Sequence, residues 1–96
     1  MKKSDKKLEN TLLKALSEVC EQALDEIDGF KWLTHRVSYS NFPASLLISC
    51  NFQSKDDYLT AQLTEADEAL RRLIQHKLGQ QGIPVKDSQV GFGRLT

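Results

Sequence analysis

Apolar side chains recur at three- and four-residue steps through Leu8, Leu12, Leu16, Val19, Cys20, Ala23, Leu24 and Ile27, with Glu9, Lys14, Glu18, Glu21, Asp25 and Asp28 between them. That period is helical. It predicts one long amphipathic helix from near Ser4 to Asp28, roughly 36 Å long at 1.5 Å per residue. Gly29 is placed to end it, because glycine enters the left-handed conformation after a helix without a steric penalty.

The pattern changes after Gly29. Leu46, Ile48, Cys50 and Phe52 alternate with Leu47, Ser49 and Asn51, the two-residue period of a half-buried strand whose Leu46 face meets the helices. In the preceding run, Trp32, Thr34, Arg36 and Ser38 alternate with Leu33, His35, Val37 and Tyr39, and neither set is cleanly apolar. Ser40-Asn41-Phe42-Pro43-Ala44 separates the two runs with turn-forming residues, and Pro43 has no N–H for a ladder. A β-hairpin is therefore expected.

Ser54-Lys55-Asp56-Asp57 supplies a hydroxyl cap followed by acids that suit the positive end of a helix dipole. A second cap-like tetrad, Thr64-Glu65-Ala66-Asp67, precedes Ala69, Leu70, Leu73, Ile74 and Leu78, and Gly79 follows. The reading is two helices, about 55–63 and 65–78, with one continuous helix as the alternative. Gln80 to Pro84 reads as a loop and Val85 to Phe92 as a weak third strand. The order α-β-β-α(α)-β predicts a single α+β domain over 1–96, with helices packed on one face of a small, mainly antiparallel sheet. Residues 1–5 are expected to be disordered and 93–96 to form a tail. The expected core is Leu12, Leu16, Val19, Leu46, Ile48, Phe52, Leu70, Leu73 and Ile74.

A chain of 96 residues has room for one domain and buries roughly 60 to 65% of its unfolded surface. Thirteen basic and thirteen acidic side chains cancel, so no net field attracts a polyanion or an anionic membrane, and any such contact needs a local patch. Neither a membrane-spanning run nor a signal-peptide core is legible, and a cytoplasmic location is expected. Cys20 and Cys50 fall on apolar faces without CxxC spacing, which predicts buried, reduced thiols rather than a disulfide or redox pair.

The candidate chemistry is thin. His35, Arg36 and Tyr39 cluster on the first strand, yet no carboxylate lies near His35 in sequence to orient it as a base. Packing on the sheet is the plainer expectation. His76, beside Gln75 and Lys77, reads as helix-end solvation. Asp56-Asp57 and Glu65-Asp67-Glu68 read as helix-capping acids rather than metal ligands, since no calcium-loop or HExxH spacing accompanies them. Gly91-Phe92-Gly93 lacks the turn and lysine of a phosphate loop. No catalytic residue, cofactor or metal is expected. Trp32, Phe30 and Phe42 lie near Lys31 and Arg36; such a set packs a core, contacts a protein, or stacks single-stranded bases.

The first helix has a reversed charge layout. Lys2, Lys3, Lys6, Lys7 and Lys14 load its start, and Glu18, Glu21, Asp25, Glu26 and Asp28 its end, against the helix dipole by some tenths of a kcal/mol per exposed charge. An antiparallel pair of such helices would set each basic end against the partner's acidic end. A homodimer is expected on that ground, with Leu13 in its seam. The expected interaction residues are Lys7, Leu13, Lys14, Glu21, Asp25, Trp32, His35 and Arg36.

The runs FKWLTHRVSYSNFPASLLISCNF and LIQHKLGQQGIPVKD resemble a group of short bacterial proteins labelled as Fis family transcriptional regulators. The resemblance covers most of the chain and implies a bacterial cytoplasmic protein. It brings no catalytic or binding motif, and the C-terminal VKDSQVGFGRLT reads as strand and tail where Fis-type proteins carry a basic helix-turn-helix. The element order is also similar to KH-like and BolA-like domains, which bind RNA or regulatory partners. A KH module needs a GxxG turn between two helices; here the turn is Thr64-Glu65-Ala66-Asp67, acidic and without glycine. A non-enzymatic protein-interaction module that binds an unknown protein partner is the first expectation, a nucleic-acid-binding regulator the second and an enzyme the last.

Overall fold

Residues 3–42 and 44–94 are described in the computed structural model. Chain order is α1 (Lys3–Glu26), β1 (Phe30–Arg36), β2 (Leu47–Phe52), α2 (Lys55–Leu63), α3 (Ala66–Gln80) and β3 (Val90–Arg94), with 3-10 turns at Tyr39–Asn41 and Asp87–Gln89. The α+β class holds. Of the expected disordered start at 1–5, residues 1–2 lie outside the described residues and the backbone is helical from Lys3. Of the expected tail, Gly93 and Arg94 belong to β3, and residues 95–96 lie outside the described residues, as does Pro43.

α1 ends where its sequence changes. Ile27 still donates to the Ala23 carbonyl at 2.8 Å, and the chain then turns through Gly29 at φ +82°. β1 follows with an irregularity that explains its mixed pattern. Phe30 pairs with Phe52, but the register slips before Trp32 meets Asn51. This bulge moves the apolar set from one parity to the other: Phe30, Leu33 and His35 face the helices, whereas Trp32, Thr34 and Arg36 face away.

β2 is the central strand, antiparallel to β1 and parallel to β3. The sheet is thus mixed. At the β1–β2 connection, the Ser38 N–H donates to Ser45 Oγ at 2.9 Å, and that hydroxyl donates to the Ser38 carbonyl at 2.8 Å. One side chain supplies the donor and acceptor of a ladder pair two residues beyond Arg36↔Leu47. The 3-10 turn takes Tyr39 out of the strand on which the alternation had placed it.

α2 and α3 are separate helices. Glu65, at φ 61° and ψ 21°, occupies the left-handed region between them, a conformation that a side chain disfavours. The Thr64 hydroxyl donates to the Thr60 carbonyl at 2.9 Å and so closes the last turn of α2.

Leu12, Leu16, Val19, Leu46, Ile48, Phe52, Leu70 and Ile74 are buried in one cluster, and Leu73 packs half-buried against it. The cluster also takes in Phe30, Cys50, Leu78, Ile83 and Val90. β3 begins later than the expected Val85 because Asp87–Gln89 forms a turn first. Gln89 is the reason: its side-chain oxygen accepts from the Lys86 N–H at 2.9 Å, and its amide donates to the Leu46 carbonyl at 2.8 Å. Gln75 of α3 holds the same loop through the Val85 carbonyl at 3.1 Å and Asp87 at 2.8 Å.

Candidate interaction surfaces

Two surfaces separate themselves from the packed core. The first runs along α1. Leu13 and Leu24 are 42% and 53% exposed, and eleven positions apart they lie within about 20° of each other around the helix. Between and beyond them, Asn10, Ser17, Cys20 and Ile27 continue the same line at alternating three- and four-residue steps, with Asn10 and Ser17 exposed and Cys20 and Ile27 half-buried. Such spacing is that of a coiled-coil seam. Small Ser17 and Cys20 at its middle leave room for a close approach.

A second heptad series flanks this line. Lys7, Lys14 and Glu21 recur every seventh residue on α1, and Asp28 continues the spacing in the turn just past its end, all exposed, with signs that run positive, positive, negative, negative. Glu18 is outside the series; it faces α3, where Lys77 Nζ lies 3.9 Å from its carboxylate. Of the expected interaction residues, Lys7, Leu13, Lys14 and Glu21 therefore fall on one continuous strip, with the exposed Asp25 beside it.

The second surface is the sheet face turned away from the helices. Side by side across the strands stand Trp32, Asn51 and Gly93, then Thr34, Ser49 and Gly91, then Arg36 and Leu47. Trp32 is 45% and Leu47 51% exposed. Gly91 leaves its part of β3 bare, a Cβ there having the Ile48 carbonyl as its nearest neighbour at 4.0 Å, whereas the Asn51 side chain leans over Gly93, its Oδ1 3.0 Å from where a Cβ would stand. At the loop end, Arg36, Val37, Ser38, Ser45 and Leu47 line a surface cleft. His35 does not join this face; it lies on the helix side opposite Ile48, half-buried.

Inside, Cys20 and Cys50 are both free thiols. Burial pushes the Cys50 thiol up to about 12, opposed by the positive charge of Arg71 and reinforced slightly by Cys20. Arg71 lies 5.3 Å from the centre of the Phe92 ring and pairs with Glu68. Phe92 stacks on Tyr58 at 6.3 Å, and Tyr58 meets Phe52 at 5.7 Å. This group ties α2 and α3 to β3 by ring contact and cation–π attraction. In the first turns of α2 and α3, Asp57 accepts from the Ser54 hydroxyl and Asp67 from the Glu68 N–H at 2.8 Å, while Glu65 precedes α3 without a side-chain cap bond. Among the described residues, no group of three or more His, Cys, Asp or Glu is arranged to hold a metal ion.

No protein-family model, curated protein or solved structure matches the chain. Among the described residues no helix is long and apolar enough to cross a membrane. The surfaces themselves carry the functional argument. Ser17, Cys20 and Leu24, which join Leu13 on this line of α1, were not among the expected interaction residues, although their heptad spacing is readable in the sequence. Thr34, Leu47, Ser49 and Asn51 were not among them either, since their common face depends on the bulge and on strand pairing.

Proposed function

We propose that this chain is a cytoplasmic, non-catalytic protein-interaction module that works as an antiparallel homodimer through α1. One observation carries the reading: the line formed by exposed Leu13 and Leu24 with small Ser17 and Cys20 between them, and the charge series beside it, are complementary to themselves. A two-fold axis beside the middle of the Ser17–Cys20 segment sets Leu13 against the partner's Leu24 and Ser17 against the partner's Cys20. It also brings Lys14 toward the partner's Glu21 and Lys7 toward the partner's Asp28. The two-fold repeats every pair, as an isologous interface requires. In a parallel pair the same series would set like charge against like.

The dimer supplies a physical account of the reversed gradient on α1. Each lysine near the helix start disfavours an isolated helix by a few tenths of a kcal/mol, and the partner's acidic end offsets that penalty. Leu13 and Leu24 would leave water at the same time, each contributing up to roughly 1.5 kcal/mol. Cytoplasmic conditions keep thiols reduced, which suits the free Cys20 and Cys50.

Sedimentation of the unmodified protein across a hundredfold concentration range is expected to show a monomer–dimer equilibrium that weakens modestly with added salt. Reversing Lys7 and Lys14 to Glu should shift it to monomer. Adding Glu21→Lys and Asp28→Lys should restore the dimer. A concentration-independent monomer for the unmodified chain overturns the reading.

A further inference from the structure

We infer that the outer face of the sheet binds single-stranded nucleic acid, with a base stacked on Trp32 and the backbone phosphates held by Lys31 and Arg36. This surface is separate from the α1 strip.

Charge selects the occupant. The overall charge is zero, but it is not evenly placed: Lys31 and Arg36 of β1 are basic and exposed, and every aspartate and glutamate lies on a helix or a connection. Acids on the outward side of α1 are separated from this face by the sheet and by a helix roughly 10 Å thick. On the outward side of the sheet Arg36 stands among Trp32, Thr34, Leu47, Ser49 and Asn51 with no acid in the set, and Lys31 is exposed at the bulge beside it.

Shape and chemistry select further among polyanions. Trp32 presents an open ring at the Asn51 and Gly93 row, while Arg36 stands on the same strand about 13 Å away at roughly 3.3 Å per residue. That separation admits a stacked base at one end and a phosphate at the cleft of Arg36, Val37, Ser38, Ser45 and Leu47. Thr34, Ser49 and Asn51 offer hydrogen bonds between them. Open sheets that combine aromatic stacking with basic side chains bind single strands with little sequence preference. A duplex has its bases stacked internally, and this flat face has no helix or ribbon to enter a groove.

The sequence has one tryptophan, so its fluorescence reports directly on the site. The titrants are a twelve-nucleotide oligouridine, a twelve-nucleotide oligothymidine, a duplex of the same length and polyglutamate, each at two salt concentrations. Saturable quenching by a single strand is expected, with a log–log salt slope of about −1.4 for two neutralised phosphates. The RNA and DNA arms show whether the sugar matters. By anisotropy of a labelled strand, Trp32→Ala should weaken binding about tenfold, the loss of one stacked base. Arg36→Glu should weaken it and flatten the salt slope, and Ser49→Glu should abolish it by placing a charge mid-face. Circular dichroism checks that each variant folds, and sedimentation that each keeps the assembly state of the parent.

Absent quenching at low salt overturns the inference. So does binding indifferent to all three substitutions, or equal quenching by polyglutamate, which would show a charge effect without base stacking. The assembly reading fails or survives independently, because the three substitutions lie off α1.

Discussion

A Cβ added to Gly29 would stand 2.5 Å from both Cβ and Cγ of Asp57, so the first turn of α2 packs directly onto the backbone that ends α1. Around that contact, the Gln53 N–H donates to the Gly29 carbonyl at 2.8 Å, and the Asp57 N–H donates to Ser54 Oγ at 3.2 Å. Gly29 also holds φ at +82°. Gly29→Ala should therefore destabilise by about 1 to 3 kcal/mol, from backbone strain and from displacement of α2. Denaturant midpoints compared with Gly82→Ala separate the two causes, because Gly82 has φ +76° but open space around it.

Leu16 and Ile48 are buried in the same cluster, whereas Leu47, beside Ile48 in sequence, points to the outer face. Leu16→Ala and Ile48→Ala should each cost about 2 to 5 kcal/mol. Leu47→Ala should stay within about 0.5 kcal/mol. Equal midpoints for all three would refute the assigned strand register.

Cys50 is wholly buried and its thiol is pushed up to about 12, while Cys20 is half-buried. A maleimide should reach Cys20 at low protein concentration, where the α1 seam is open, more slowly in the assembled dimer that covers it, and Cys50 only on unfolding. The shift has a signed effect on stability. Above about pH 9 the unfolded thiol ionises while the native thiol keeps its proton, so the native state binds more protons and stability falls as pH rises toward 12. The slope approaches about 1.4 kcal/mol per pH unit. Cys50→Ala should lack that contribution between pH 8 and 10.5, whatever its effect at neutral pH.

Glu65 is the described non-glycine residue with positive φ, at 61°. Glu65→Gly should relieve the steric penalty of that conformation and raise stability by up to about 1 kcal/mol, less the added freedom of the unfolded chain. Thermal melting checks the sign. A lower melting temperature would mean that the carboxylate contributes more at the start of α3 than the strain removes.

Gln89 Nε2 donates to the Leu46 carbonyl at 2.8 Å across a separation of 43 residues, in a buried position. Gln89→Leu keeps the apolar bulk but strands that carbonyl, with an expected loss of about 1 to 3 kcal/mol. Hydrogen exchange should then quicken at the β2–β3 pairs near Ile48 and Val90 before it does in α1.

Much was legible in the sequence because local period and local capping are properties of adjacent residues. The three- and four-residue recurrence from Leu8 to Ile27 determined α1 and the buried Leu12, Leu16, Val19 and Ala23, but not that Leu24 of the same recurrence stays exposed. The alternation from Leu46 to Phe52 determined β2 and its face, and the Ser54 tetrad the start of α2; the Thr64 tetrad left one helix or two open, and the break is made by left-handed Glu65 and by the Thr64 hydroxyl closing α2, not by Thr64 capping α3. What the tertiary structure alone decided involves pairing between distant segments. The bulge at Lys31 reverses the facing of β1, sending His35 inward and Trp32 outward, and only its ladder with β2 reveals it. The parallel placement of β3 beside β2 depends on crossing α2 and α3 and on the Gln89–Leu46 bond. The outer sheet face exists only after both pairings form. Side-chain alternation along one strand is local, but which strand lies beside it, in which direction and at which register, is settled by long-range hydrogen bonds and by burial of the shared core.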